Sequence, residues 1–276
     1  MTQRGRPEAD EPVTGVRAFI AARRAGLGTL VVLGAAAMGG WALWERFAAD
    51  VRSDPAAVLL PEAVSVKGLA PWVRGDLKDV VLHDASLDGG LPLDDPELAG
   101  RIERAFGMHP WIRDVVAVTL RHPAAAEVEV RCREPVGMVA VPGGLLAIDA
   151  EGVVLPSEDF TAESAAAYPR ISGIRSSPVG VAGSRWGDAL VHEAAAVAAA
   201  VGPEWRDLGL RDLRPTEDGA PRGWEFVDAS GRVIHFGSAP GHEADGEPSI
   251  AVKVGRLRAL ATADGRAERT DLTRSP

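Results

Sequence analysis

Six histidines and 39 acidic residues in 276 are enough to build a metal centre or an acid–base pair, so their spacing decides whether they do. His192-Glu193 is followed by Ala194, Ala195 and Ala196, whereas a helical zinc site needs a second His four residues on, to bring both imidazoles to one face. No Gly-x-Ser-x-Gly elbow, phosphate-cradling Gly-x4-Gly-Lys loop or dinucleotide glycine pattern occurs. His109 and His122 each precede a proline, which biases them to extended backbone at strand ends and makes them turn residues. His235 falls within a strand-like run and reads as a surface strand position. "GHEADGE", Gly241 to Glu247, gathers three carboxylates and His242 in a loop, without the oxygen-ligand spacing of a calcium site. Cys132 is the single cysteine; it cannot close an internal disulfide and reads as a small buried hydrophobe. The chemistry-bearing residues thus point to no catalytic group, cofactor or metal, and to a chain that is not an enzyme. A hydrolase whose His and carboxylates converge only in space is the enzymatic alternative.

The elements that would position these residues are those of a globular chain, 46% hydrophobic and 25% charged. A formal charge of -9 argues against a phosphate-neutralising surface, and so against nucleic acid as a partner. Nor does any motif mark a small-molecule substrate.

"AGLGTLVVLGAAAMGGWALW", Ala25 to Trp44, is free of charge and at ~1.5 Å per residue would span about 30 Å. It predicts one transmembrane helix over 25–44, anchored in the bilayer by Leu30, Val31, Val32 and Leu33, with Trp41 and Trp44 at an interface. Arg17, Arg23 and Arg24 precede it, which leaves 1–24 as a cytoplasmic tail and exports the rest. A cleaved signal peptide is the competing reading, but the run exceeds an h-region of about 7 to 15 residues and ends on bulky tryptophans.

Residues 45–61 read as a linker broken by Pro55 and Pro61. A first domain follows over 62–136. Ala63 to Gly68 alternates as a short strand, Pro71 to Leu82 can form a helix with proline at its start, and Leu93 to Gly107 a second, with Asp94 as N-cap and Leu98, Ile102 and Phe106 on one stripe. In "HPWIRDVVAVTLRHPAAAEVEVRCREPV", Ile112, Val116, Val118 and Leu120 share one parity and Ala126, Val128, Val130 and Cys132 another, which makes an antiparallel hairpin with one apolar face over Leu98, Ile102 and Phe106. Over 137–276, Gly143 to Pro156 reads as a hairpin around Asp-Ala-Glu-Gly, Trp186 to Val201 as an alanine-rich helix, Gly223 to Gly237 as two strands around Ala-Ser-Gly, and Glu247 to Leu260 as a last helix. The final residues can start one more edge strand. The fold class is α+β: one N-terminal transmembrane helix, a small β-α-α-β-β domain, then a larger mixed domain with an antiparallel sheet.

This order resembles the bacterial FtsQ/DivIB cell-division proteins, whose exported part is a POTRA domain followed by a β domain. The words that carry the resemblance are "VSVKG", the proline-tryptophan hairpin above, "LLAIDAEGVVLP", "YPRISGI", and "GWEFVDASGRVIHFG" with the Lys253 helix, together about 60 to 260. Two departures stand out: Arg133-Glu134-Pro135-Val136 inverts the family's Glu-Arg order, and the last strand stops soon after Asp271-Leu272-Thr273. The resemblance implies a single-pass scaffold of the inner membrane at the division septum. It also implies recruitment of FtsB- and FtsL-like membrane partners and contact with peptidoglycan-synthesis components. In relatives the last strand receives a partner segment by strand addition. Independently, short sheets leave edges whose unpaired N–H and C=O groups can accept a strand. The partner-binding candidates are Trp224, Phe226, Ile234 and Phe236 in the hairpin and Thr270, Asp271 and Leu272 at the end, with core packing as the competing reading of the aromatic residues. A barrel-less envelope accessory for protein export or outer-membrane assembly, using the same small domain to hold substrate strands, is the second functional reading.

Overall fold

The computed structural model describes residues 29, 32–46, 55–217, 223–262 and 269–274. Two compact units divide the chain at Val58/Leu59. In the first, 32–46 is a helix (α1). Here the expectation of a transmembrane helix is corrected: among the described residues no helix is long and apolar enough to cross a membrane. Val32, Leu33, Trp41 and Trp44 lie on it, each at least 60% exposed. Leu30 and Val31 lie outside the described residues, as does the tail 1–24.

Two short strands are Val58–Leu59 (β1) and Leu91–Pro92 (β3). The second unit begins with the expected strand, helix, helix, strand, strand order: Val64–Lys67 (β2), Leu77–Asp84 (α2), Leu98–Gly107 (α3), Ile112–Arg121 (β4) and Ala125–Cys132 (β5). Both helices start later than expected, at Leu77 and not Pro71, and at Leu98 and not Leu93. Gly75 takes φ +77 and breaks the chain before Asp76, whose carboxylate caps α2 through Asp79 N–H. Asp94 does not cap α3; its N-cap is Glu97, and Asp95 instead receives Glu97 N–H and pairs with Arg101.

β5 is central in the small sheet, parallel to β2 and antiparallel to β4. One parity expectation fails. The register of β4 slips between Val115 and Ala117, so Val116 is 51% exposed and Val115 takes its place in the apolar row. Ala126, Val128 and Val130 cover Leu98, Ile102 and Phe106 as the alternation requires. This core does not stop at 136: Met138, Ala147, Leu155 and Ala165 belong to the same apolar cluster.

The larger sheet has seven strands in the order β12-β11-β10-β9-β8-β6-β7. They are Pro135–Val141 (β6), Gly144–Asp149 (β7), Arg170–Ile171 (β8), Leu210–Pro215 (β9), Trp224–Asp228 (β10), Val233–Gly237 (β11) and Arg269–Asp271 (β12). The sheet is mixed, not antiparallel as the sequence suggests. β6/β8, β8/β9 and β11/β12 are parallel pairs, because the chain returns through Ala162–Ala165 (α4), Ala189–Val201 (α5) and Ile250–Thr262 (α6) before each. Asp188 caps α5 through Leu190 N–H, and its Val191, Ala194, Val197 and Ala198 pack on Val139, Ile171 and Leu213. Alanine at these contacts lets the helix approach the sheet closely.

Candidate functional site: the open end of the large sheet

The two ends of the seven-stranded sheet are treated differently. Beyond β7 the chain folds back: Leu155 N–H donates to Ala147 O, Ala147 N–H to Ser157 Oγ, and Asp149 N–H to Val153 O. The outer side of β7 from Ala147 to Asp149 is therefore occupied. At the other end, β12 pairs with β11 on its inner side, and among the described residues no strand follows it. Leu272 N–H donates to His235 O, which fixes the alternation. Thr270 directs its backbone groups and Leu272 its N–H to β11, and Arg269 and Asp271 direct theirs outward. An edge of this kind is a template for an incoming strand.

Four residues hold that edge. Gly237 ends β11 at φ +86. Glu247 Oε1 accepts from Ser238 N–H at 2.8 Å and Oε2 from Ala244 N–H at 2.9 Å, closing the loop between β11 and α6. Lys253, with 0% of its side chain exposed, donates Nζ to Glu247 Oε1 and to Ser238 O, each at 2.8 Å, and lies 4.6 Å from the Phe236 ring centre. Burial works to raise the Glu247 carboxyl, but the hydrogen bonds from Lys253, Ala244 and Ser238 prevail and hold it at about 2. Arg256 Nη1 then donates to Leu272 O at 2.7 Å and Arg274 O at 2.8 Å, tying the C-terminal residues to α6.

Among the sequence candidates, Trp224, Phe226, Ile234 and Phe236 are each no more than 1% exposed. They are core side chains. Phe226 stacks edge-on against Phe236 and Trp205, with centroids 5.2 and 5.6 Å apart, and Trp224 Nε1 donates to Glu193 Oε2 at 3.3 Å. Leu272 is also buried, at 2%, while Thr270 and Asp271 are half-buried and lie on the edge strand itself.

Sequence reasoning missed His235. Far from being a surface position it is 9% exposed, opposite Glu225 in register on one side and Asp271 on the other. The signal was the odd parity of Glu225 and His235 against the even parity of Phe226, Ile234 and Phe236. The remaining titratable candidates do not converge. His192 is exposed beside Glu151 O while Glu193 turns to Trp224. Glu247 of the acidic loop is committed to Lys253. Among the described residues no group of three His, Cys, Asp or Glu side chains could hold a metal ion. Burial raises the Cys132 thiol, the opposite of what a reactive thiolate needs.

No protein-family model matches the chain, and no curated protein matches it.

Proposed function

We propose that the protein is a scaffold that recruits partner proteins by accepting an extended segment along β12, in the manner of the FtsQ/DivIB division proteins that its sequence resembles. The observation that carries this reading is the asymmetry of the large sheet. Its β7 end is occupied by the protein's own chain from Ala147 to Asp149, and its β12 end presents the outward N–H and C=O groups of Arg269 and Asp271 on a buttressed strand. The ten-residue edge of the small sheet, β4, is a poorer template. Its ladder is broken at two places, and Arg113, Asp114 and Arg121 punctuate it, which are the features that discourage strand addition. The work asked of the protein on this reading is assembly and not turnover. Its proposed partners are FtsB- and FtsL-like proteins and peptidoglycan-synthesis components at the septum, and neither nucleic acid nor a small-molecule substrate is among them.

The test is localisation of a full-length fluorescent fusion in dividing cells of the native host, with the untagged copy depleted. A band at the division plane with filamentation on depletion is expected. Uniform signal and normal division would overturn the division role and return the reading to an envelope accessory.

A further inference from the structure

One row of side chains crosses the open end of the large sheet. Arg214 on β9 is opposite Glu225 on β10, Glu225 is opposite His235 on β11, and His235 is opposite Asp271 on β12. Residues opposite one another share a face, so these four form a ladder on the side away from Phe226 and Phe236. The base-acid contact is direct at one end, with Arg214 Nη2 3.5 Å from Glu225 Oε2. Glu225 is 2% exposed and His235 9%, so the inner rungs are screened little by water.

Asp271 ends the ladder at the edge, its side chain 32% exposed. Its two oxygens differ in what they do. Oδ1 accepts from Thr273 N–H at 2.9 Å and from Thr273 Oγ at 2.6 Å, which turns the chain out of the strand. Oδ2 faces Arg274 Nε at 3.1 Å, but that arginine is 84% exposed. A surface pair of this kind is weak and easily exchanged for a better-held base. On the other face, Leu272 and Ile234 are buried beside Thr270. A strand added outside β12 would place one residue opposite Asp271 on the ladder face and its two neighbours next to Thr270 and Leu272 on the apolar face.

Resting on the strand-addition reading above, we propose that the segment received at β12 carries Lys or Arg opposite Asp271 and apolar residues on either side of it. A base there sets a cation directly opposite the Asp271 carboxylate. An acidic residue would sit directly opposite a carboxylate, with a second carboxylate, Glu225, two strands further in.

The experiment uses the purified full-length chain and two nine-residue peptides that differ only at the centre, Thr-Val-Thr-Val-Lys-Val-Thr-Val-Thr and its Glu-centred twin. Binding is followed by fluorescence anisotropy for the native protein and for Asp271→Asn. The amide keeps the Oδ1 acceptor that turns the chain, so the strand is retained and only the charge is removed. Thermal unfolding of the variant checks that retention. The Lys peptide is expected to bind at least ~10-fold tighter than the Glu peptide, and Asp271→Asn to reduce that preference to below ~3-fold. Equal binding of both peptides, or a preference that survives Asp271→Asn, would overturn the proposed partner chemistry and leave strand addition standing. Binding of neither peptide would overturn both.

Discussion

The Lys253 ammonium lies 2.8 Å from Glu247 Oε1 and over the face of Phe236, fully enclosed at the point where the last helix meets the sheet. A buried pair of this kind adds little when compared with a well-packed apolar pair, but removing one partner leaves the other charged and unsolvated. Lys253→Met should therefore destabilise the protein by roughly 3–5 kcal/mol. The double variant Lys253→Met with Glu247→Gln should recover part of that loss, because the stranded carboxylate is gone. Urea unfolding of the single and double variants measures both, and a single variant within ~1 kcal/mol of native would show that the clamp does not hold the edge.

The same pair gives the acid limb of stability a definite sign. Glu247 has a folded value of about 2 against an ordinary 4.5, so the unfolded chain binds more protons between the two. Its contribution is complete above 4.5 and disappears as pH falls through about 2. At 1.36 kcal/mol per unit this is roughly 3 kcal/mol. Asp271 is displaced in the same direction: burial opposes the shift, and hydrogen bonds from Thr273 with the charges of His235 and Arg274 outweigh it. Asp212, raised chiefly by burial, works in the opposite sense. Stability followed by chemical unfolding from pH 5 to pH 2 should fall more steeply for the native chain than for the Lys253→Met, Glu247→Gln double variant.

Gly237 is the residue on which the edge turns. Its φ of +86 is one that a Cβ penalises, and a Cβ there would come within 2.2 Å of Glu247 Oε1 and 2.5 Å of Thr273 Cγ2. Gly237→Ala must either push Glu247 from Lys253 or move the segment that follows β12. A loss of roughly 2–4 kcal/mol is expected, combining about 1–2 for the left-handed backbone with the weakened clamp. Gly231→Ala, also at positive φ but with open space around its Cβ position, should lose only the backbone share. Equal losses in the two variants would show that the crowding at Gly237 is harmless.

Outward N–H groups on β12 give a direct test of strand addition. Arg269→Pro removes one such donor without touching the bonds to β11, which run through Thr270 and Leu272. Captured partner should fall at least ~10-fold in a pull-down from the native host, with the unfolding free energy within about 1 kcal/mol of native. Undiminished capture by a folded variant would place the partner elsewhere.

Local pattern carried the small sheet and the long helices into view, because alternation and the i, i+4 stripe are visible in one segment at a time. The parity of Ala126, Val128 and Val130 and the stripe of Leu98, Ile102 and Phe106 are of this kind. What was hidden depends on pairs distant in sequence. Val116 is turned out by a slip in register that only the partner strand reveals. The parallel pairing of β8 and β12 follows from crossovers, and three-residue Arg269–Asp271 is too short to announce its neighbour. The Arg214, Glu225, His235, Asp271 ladder joins four strands and could not be read from any one of them. The transmembrane expectation rested on the apolar run 25–44, and among the described residues no helix is long and apolar enough to cross a membrane.

The boundary expected at 136/137 also has a physical test. Residues 59–276 form one compact unit, and the core under α2 and α3 runs on through Met138, Ala147 and Leu155. Polar ties cross the same line: Arg133 Nη1 meets Asp149 Oδ2 at 2.7 Å, and Trp111 Nε1 donates to Asp159 Oδ2. Leu155 is 1% exposed and belongs by sequence to the second half but by contact to the first. Leu155→Ala should cost about 2–5 kcal/mol as a core truncation. If the two halves are one cooperative unit, near- and far-ultraviolet circular dichroism should report a single shared transition at the lower midpoint. Two separated transitions would mean that the halves fold independently, and that the edge at β12 is held without help from the helices of the small sheet.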